Sequence, residues 1–246
     1  MTFEKLNNLN GQIAVVTGAN GGMGRAICQR LAELGATLYG ISRSRVDELQ
    51  LFLDGIGSGH RAILGDVTNG VRLQEIAATI PRCDLLITAA GESKIIPHDN
   101  LVMLSPEEFT RLINDNLTSV YLTVRAFVPA LKNSTSALVV NISSASSLRG
   151  GGSNLAYAAA KAGVDSLTKN LSMAFAPTIR FIALNPSAVD TGFVPFLPER
   201  LKNIANFTPL KRLTTVDDIA NAVEAFATTL RFTTGNCFAI DGGKII

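Results

Sequence analysis

The chain of 246 residues is 47% apolar and 17% charged, with 22 basic against 20 acidic side chains and a net charge of +2. That apolar share supplies a core and excludes a disordered chain, and the charge balance carries neither a nucleic-acid footprint nor a polybasic membrane patch. No apolar run reaches the ~18 residues of a membrane span, and the opening MTFEKLNNLN lacks the apolar stretch of a secretory signal, so a cytoplasmic location is expected.

In chain order, Ile13–Thr17 reads as a buried strand. Met23, Ala26, Ile27, Arg30, Leu31 and Leu34 then follow at helical spacing, and Gly35 is placed to end that helix. Residues 37–41 and 62–64 read as the second and third strands, 71–80 as a helix and Leu85–Thr88 as the fourth strand. Ser105, Pro106 and Glu108 form a capping-box start for a helix expected to run to Leu131. The second half of that helix is apolar nearly all round, which suits cover by the sheet and by a partner subunit. Pro129 is expected to kink or end it.

Residues 138–142 read as the fifth strand, Leu155–Phe175 as an alanine-rich helix and 179–184 as the sixth strand. The stretch 192–213 holds Pro195, Pro198 and Pro209 among apolar residues and reads as a lid or substrate loop. Val216–Thr228 is a helix with Asp217 and Asp218 in its first turn, and 237–240 the last strand. Strands alternating with helices imply right-handed βαβ units and a parallel sheet covered on both faces. We expect one α/β domain spanning residues 1–246.

The first strand runs into Gly18-Ala19-Asn20-Gly21-Gly22-Met23-Gly24, and a helix follows. Glycines at such a turn let the backbone approach a pyrophosphate, and the helix start offers free N–H groups and the positive end of its dipole. The absence of Gly-Lys-[Ser/Thr] rules out a P-loop NTPase. After the second strand stand Ser42, Arg43, Ser44 and Arg45, and the first acid, Asp47, comes late. A carboxylate there would suit a ribose 2′-hydroxyl, whereas arginine suits a 2′-phosphate, so the pattern points to NADP(H) rather than NAD(H).

Tyr157 and Lys161 stand four apart on the alanine-rich helix and share a face. A cation one turn from a phenol, with a charged nicotinamide ring near, favours the phenolate, so a phenol titrating well below its ordinary value of about 10 is expected, poised for acid–base work. The fifth strand ends at Ser143 and Ser144, at the carboxyl edge where open α/β sheets bind ligands. Cys28, Cys83 and Cys237 are widely spaced, and His60 and His98 stand apart from them. Neither a disulfide framework, a metal site nor a Ser-His-Asp triad is expected.

Taken in order, these motifs resemble those of the short-chain dehydrogenase/reductase family over essentially the whole length. Thr17–Gly24 resembles its cofactor loop, Asp66 and Val67 its adenine-contacting pair, and Thr88-Ala89-Ala90-Gly91 its Asn-Asn-Ala-Gly motif. Asn116, Ser144, Tyr157 and Lys161 match its catalytic tetrad, and the segment from Asn185 through Pro186, Ser187 and Val189 to Thr191 resembles its nicotinamide-holding turn. The resemblance implies a Rossmann-type doubly wound parallel sheet of about seven strands in the order 3-2-1-4-5-6-7.

It also implies a homo-oligomer and hydride transfer between NADP(H) and a ketone or secondary alcohol. Tyr157 would be the acid/base, Lys161 its pKa-lowering neighbour, Ser144 the carbonyl-orienting group and Asn116 the holder of a proton-relay water. Gly18, Asn20, Gly22, Met23, Gly24, Ser42, Arg43, Asp66, Val67, Ala90, Gly91, Pro186, Val189 and Thr191 would hold the cofactor, together with Tyr157 and Lys161. Ser187 departs from the family's glycine and bears on the backbone beside the nicotinamide. A cofactor-binding redox sensor without turnover is the alternative. It would lack a tetrad member, and none is missing.

Overall fold

The computed structural model describes residues 8–191 and 198–245. Seven parallel strands form one sheet: β1 Ile13–Thr17, β2 Thr37–Ser42, β3 Arg61–Leu64, β4 Leu85–Thr88, β5 Ala137–Ile142, β6 Ile179–Pro186 and β7 Asn236–Ile240. Their spatial order is β3-β2-β1-β4-β5-β6-β7. Alternate residues of each strand face opposite sides, as the two-residue period of a strand requires. Ala14 and Val16 of β1, Ile87 of β4 and Val140 of β5 enter one core cluster, whereas Val15, Leu86 and Val139 enter the other.

The first cluster is covered by α1 Gly22–Glu33, α2 Val46–Ile56 and α9 Val216–Thr228. The second is covered by α3 Gly70–Ala78 and α5 Ser119–Lys132, with the end of α7 Leu155–Phe175 packed against it. With helices on both faces, the all-parallel sheet buries its strands on both sides. The order reverses between β1 and β4. In open sheets of this kind the loops at the strands' carboxyl ends part there and leave a crevice.

Several elements differ from their sequence-level expectation. No element was expected between the second and third strands, yet α2 forms and buries Leu49 and Leu53 completely. Its N-cap, Arg45, is left-handed with φ 50° and makes no side-chain cap bond, so the usual start signal is missing. The helix expected to run from Ser105 to Leu131 forms over residues 106–132, with a π-helical turn Asn114–Thr118 inserted between α4 Pro106–Ile113 and α5. Pro129 does not end α5, which continues to Lys132; it lies on an exposed stripe with Tyr121, Arg125 and Lys132, where water can serve the freed carbonyl.

The stretch expected to be a loop contains α8 Pro198–Phe207, while residues 192–197 of that loop lie outside the described residues. A short helix, α6 Ser146–Arg149, follows β5. Gly35 takes φ 93° just past the Leu34 C-cap, in the left-handed conformation that suits a helix end. Among the described residues, no helix is long and apolar enough to cross a membrane, and no cluster of three His, Cys, Asp or Glu could hold a metal.

Candidate active site

The carboxyl ends of β1, β2, β4, β5 and β6 converge on a cavity of about 580 Å³. The glycine loop forms one wall. Gly18 has φ 66°, and a Cβ there would lie 2.8 Å from the backbone of Ala89 and Ala90. At Gly24 a Cβ would come within 2.2 Å of the Gly18 carbonyl oxygen. Both positions therefore need glycine, one for its backbone angle and both for close approach. α1 begins at Gly22 with no side-chain cap on its first N–H groups, which leaves donors and the positive end of the helix dipole facing the cavity. This cradle fits the pyrophosphate of a dinucleotide. Asn20, Gly22 and Met23 line it, and Thr191 packs against Gly22.

Ser42, Arg43, Asp66, Val67, Ala90 and Gly91, on the loops after β2, β3 and β4, also line the cavity. Asp66 accepts from the Thr68 backbone at 2.8 Å and from its hydroxyl at 2.7 Å. Those bonds hold its carboxyl below the usual range. Arg43 is exposed but engaged: its Nη2 lies 2.9 Å from the Glu92 carboxylate. A Cβ on Gly91 would lie 2.7 Å from the Asn116 Oδ1 and 3.8 Å from the Lys161 Nζ, so a bare backbone is what lets β4's loop approach both residues.

Asn116 sits in the π-helical turn and is fully buried. Its Nδ2 donates to the carbonyls of Glu92 at 2.7 Å and Leu112 at 2.9 Å, and its Oδ1 accepts from the Glu92 N–H at 3.2 Å. The side chain thus satisfies the Leu112 carbonyl beside the π-helical turn and pins the backbone of Glu92 on the loop after β4. Asn116 lies behind the cavity wall; the other predicted site residues line the cavity itself.

Tyr157 and Lys161 lie in the first two turns of α7. Asn154 caps that helix, accepting from the Tyr157 N–H at 2.8 Å. The Lys161 Nζ lies 5.6 Å from the centre of the Tyr157 ring and donates to the Ile142 carbonyl, at the end of β5, at 2.8 Å. Ser144 hydrogen-bonds the Tyr157 hydroxyl. The Ser144 carbonyl is held in turn by the Ser147 hydroxyl at 2.6 Å and Asn185 Nδ2 at 3.2 Å. Both of those groups reach the buried Asp165 carboxylate, at 2.5 and 2.8 Å.

The expected low phenol pKa is not what this environment produces. Burial pushes the Tyr157 hydroxyl up to about 12, against the opposing pull of the Ser144 bond. The same burial lowers Lys161 to about 8, opposed by the Asp165 charge. Removal from water disfavours both charged forms, and the lysine's field does not offset it for the tyrosine. Ser187 causes no left-handed strain: its φ is negative, and its N–H bonds the Ile240 carbonyl at 3.3 Å. Pro186 and Val189 line the cavity beside it, with Val189 bridged to Thr214.

Sequence reasoning did not single out Glu92, Arg111, Ser147 or Asp165. Charged and hydroxyl residues on loops and helix faces carry no pattern that marks them before the fold brings them together.

A Rossmann-type sheet with a glycine cradle and a Ser-Tyr-Lys cluster at its switch point defines a nucleotide-dependent class of α/β protein. The short chain dehydrogenase family pattern matches residues 12–201, and the chain belongs to that family. It is 32% identical to the 3-oxoacyl-[acyl-carrier-protein] reductase FabG of Escherichia coli (strain K12), over 96% of this chain and 98% of that protein. It is 29% identical to the 7alpha-hydroxysteroid dehydrogenase of Clostridium sardiniense, over 97% of this chain and 95% of that one. The crystal structure of 3-ketoacyl-(acyl-carrier-protein) reductase from Brucella melitensis, complexed with NADH, superposes with a TM-score of 0.86 at 27% identity, covering 97% of this chain and 100% of that chain.

Proposed function

We propose that the protein is an NADP(H)-dependent oxidoreductase that interconverts a ketone and a secondary alcohol, with Tyr157 as its general acid/base. The observation that carries this reading is the Ser144–Tyr157–Lys161 cluster, which opens into the same cavity as the glycine cradle. The printed names of the relatives, which describe ketoacyl reductases and a hydroxysteroid dehydrogenase, support the reaction class. Arg43, on the loop after β2, supports the choice of NADP(H).

The bound nicotinamide supplies or accepts the hydride. In reduction the Ser144 hydroxyl donates to the substrate carbonyl oxygen and polarises it. Tyr157 then passes its phenolic proton to that oxygen as negative charge develops. The Lys161 ammonium stabilises the resulting tyrosinate, and Asn116, which with Lys161 flanks Gly91, holds the relay water that links Lys161 to solvent. A phenol near 12 is protonated at neutral pH and is therefore ready as an acid. The same reading makes the protein cytoplasmic and homo-oligomeric. Exposed Tyr121, Phe109 and Met173 on α5, α4 and α7 support the second point.

The test is the rate of NADPH oxidation by the purified protein on a panel of ketones, ketosteroids, quinones and 3-oxoacyl thioesters, with NADH in parallel. Turnover of at least one carbonyl substrate, faster with NADPH, is expected. Tight cofactor binding without turnover on any member would favour the sensor instead.

A further inference from the structure

Arg43 and Glu92 lie on different loops, after β2 and β4, and both line the cofactor cavity. Their 2.9 Å ion pair joins those two loops. Glu92 cannot follow Arg43 if Arg43 moves. Its backbone N–H and carbonyl are both bound by the buried Asn116 amide. Its second carboxylate oxygen is held by Arg111 at 2.8 Å. Arg111 is anchored by Glu108 through two bonds of 2.9 Å and by Asp115 at 2.8 Å. Losing Arg43 therefore leaves Glu92 still paired, in the same place and still charged. The carboxylates of Asp66 and Asp115 add to the negative field that Arg43 feels. Arg45, the other cation of the β2 loop, is turned to Glu48 at 3.4 Å.

We propose that Glu92 is a specificity-determining residue of the cofactor site: its carboxylate competes with a 2′-phosphate for the Arg43 guanidinium and so narrows the protein's preference for NADP(H) over NAD(H). This rests on the reading that Arg43 recognises the 2′-phosphate. A phosphate must displace Glu92 from Arg43 and then remain beside a fixed carboxylate, and like charges at that range repel. A 2′-hydroxyl leaves the pair intact. Glu92 thus weakens one cofactor and spares the other.

The test measures equilibrium dissociation constants of NADPH, NADH and 2′-phosphoadenosine 5′-phosphate by calorimetry, for the wild type, Glu92→Gln, Arg43→Gln and the double variant. Glu92→Gln keeps the side chain's shape, and Glu92→Met serves as a second neutral variant should the first misfold. Glu92→Gln is expected to tighten NADPH and the fragment by about fivefold, the scale of one partly exposed charge pair, and to leave NADH within about twofold. In the Arg43→Gln background the competition for the guanidinium is gone and only the phosphate–carboxylate repulsion remains, so the gain from Glu92→Gln should be smaller there than in the wild type. An equal gain in both backgrounds would overturn the competition. An unchanged NADPH-to-NADH ratio in Glu92→Gln, or equal tightening of both, would overturn the proposal. If Arg43→Gln lowers the ratio but Glu92→Gln does not raise it, only the role of Glu92 fails. If Arg43→Gln leaves the ratio unmoved, the phosphate reading itself fails, and the proposal with it.

Discussion

The Lys161 Nζ donates a 2.8 Å hydrogen bond to the carbonyl of Ile142, so the lysine is tied to the end of β5 while it stands 5.6 Å from the Tyr157 ring. A carbonyl partner satisfies the ammonium without neutralising it, and burial still lowers its pKa to about 8. Below that value Lys161 is charged and stabilises a tyrosinate; above it the charge is lost. Tyr157, near 12, stays protonated through the same range and contributes no limb there. In the direction of carbonyl reduction, kcat/KM should therefore hold level below about pH 8 and fall above it. A profile flat to pH 10 would show that the lysine charge is not used.

Tyr157→Phe removes the proton that the reaction needs and leaves the ring that packs beside Lys161. General acid catalysis is worth about 10² to 10⁴ in rate, so turnover should drop by roughly that factor, while NADPH affinity, measured by fluorescence titration, stays within a few-fold. A variant that keeps its turnover would remove Tyr157 from the proposed role.

The strands and most helices were legible because apolar strands and amphipathic helices leave different periods in the sequence, and because glycines and hydroxyl residues fall where strands end; the strand order came only with the family resemblance. What escaped the sequence had other causes. α2 starts at a left-handed arginine rather than at a capping side chain. The π-helical turn presents Asn116 to the Glu92 backbone on another loop, a contact that no local pattern encodes. The phenol's acidity was judged from the neighbouring lysine and a charged nicotinamide ring, and the fold adds a burial that raises its pKa. Arg43 was legible as a candidate reader of phosphate, whereas its engagement by Glu92 exists only once the loops after β2 and β4 meet.

Asn116→Ala deletes bonds to the Glu92 N–H and carbonyl and to the Leu112 carbonyl, all at a buried helix break. Each buried backbone group left unpaired costs about 1–3 kcal/mol, less whatever water recovers. A loss of roughly 2–4 kcal/mol should lower Tm by several degrees, since each kcal/mol moves a chain of this size by about 2–4 °C. Turnover should fall as well, because the Gly91–Glu92 loop beside Lys161 loses the amide that pins it. A calorimetric Tm unchanged from wild type would mean that the amide does not brace the turn.

Two glycine-to-alanine changes should act with opposite signs. At Gly24 the new methyl would meet the Gly18 carbonyl oxygen at 2.2 Å and the Ala19 Cα at 2.8 Å. Those obstacles are backbone and cannot rotate away, so the phosphate loop must shift, at a cost of about 1–3 kcal/mol. Cofactor affinity should fall with stability, because the shifted backbone is the part that cradles the pyrophosphate. At Gly55, inside α2, a methyl meets nothing within 4 Å. There alanine restricts the unfolded chain and suits the helix, which should raise stability by about 0.4–1 kcal/mol and leave cofactor binding untouched. Thermal unfolding and NADPH titration of the two variants separate the cases. Equal effects at the two positions would mean that close packing of the glycine loop does not shape the site.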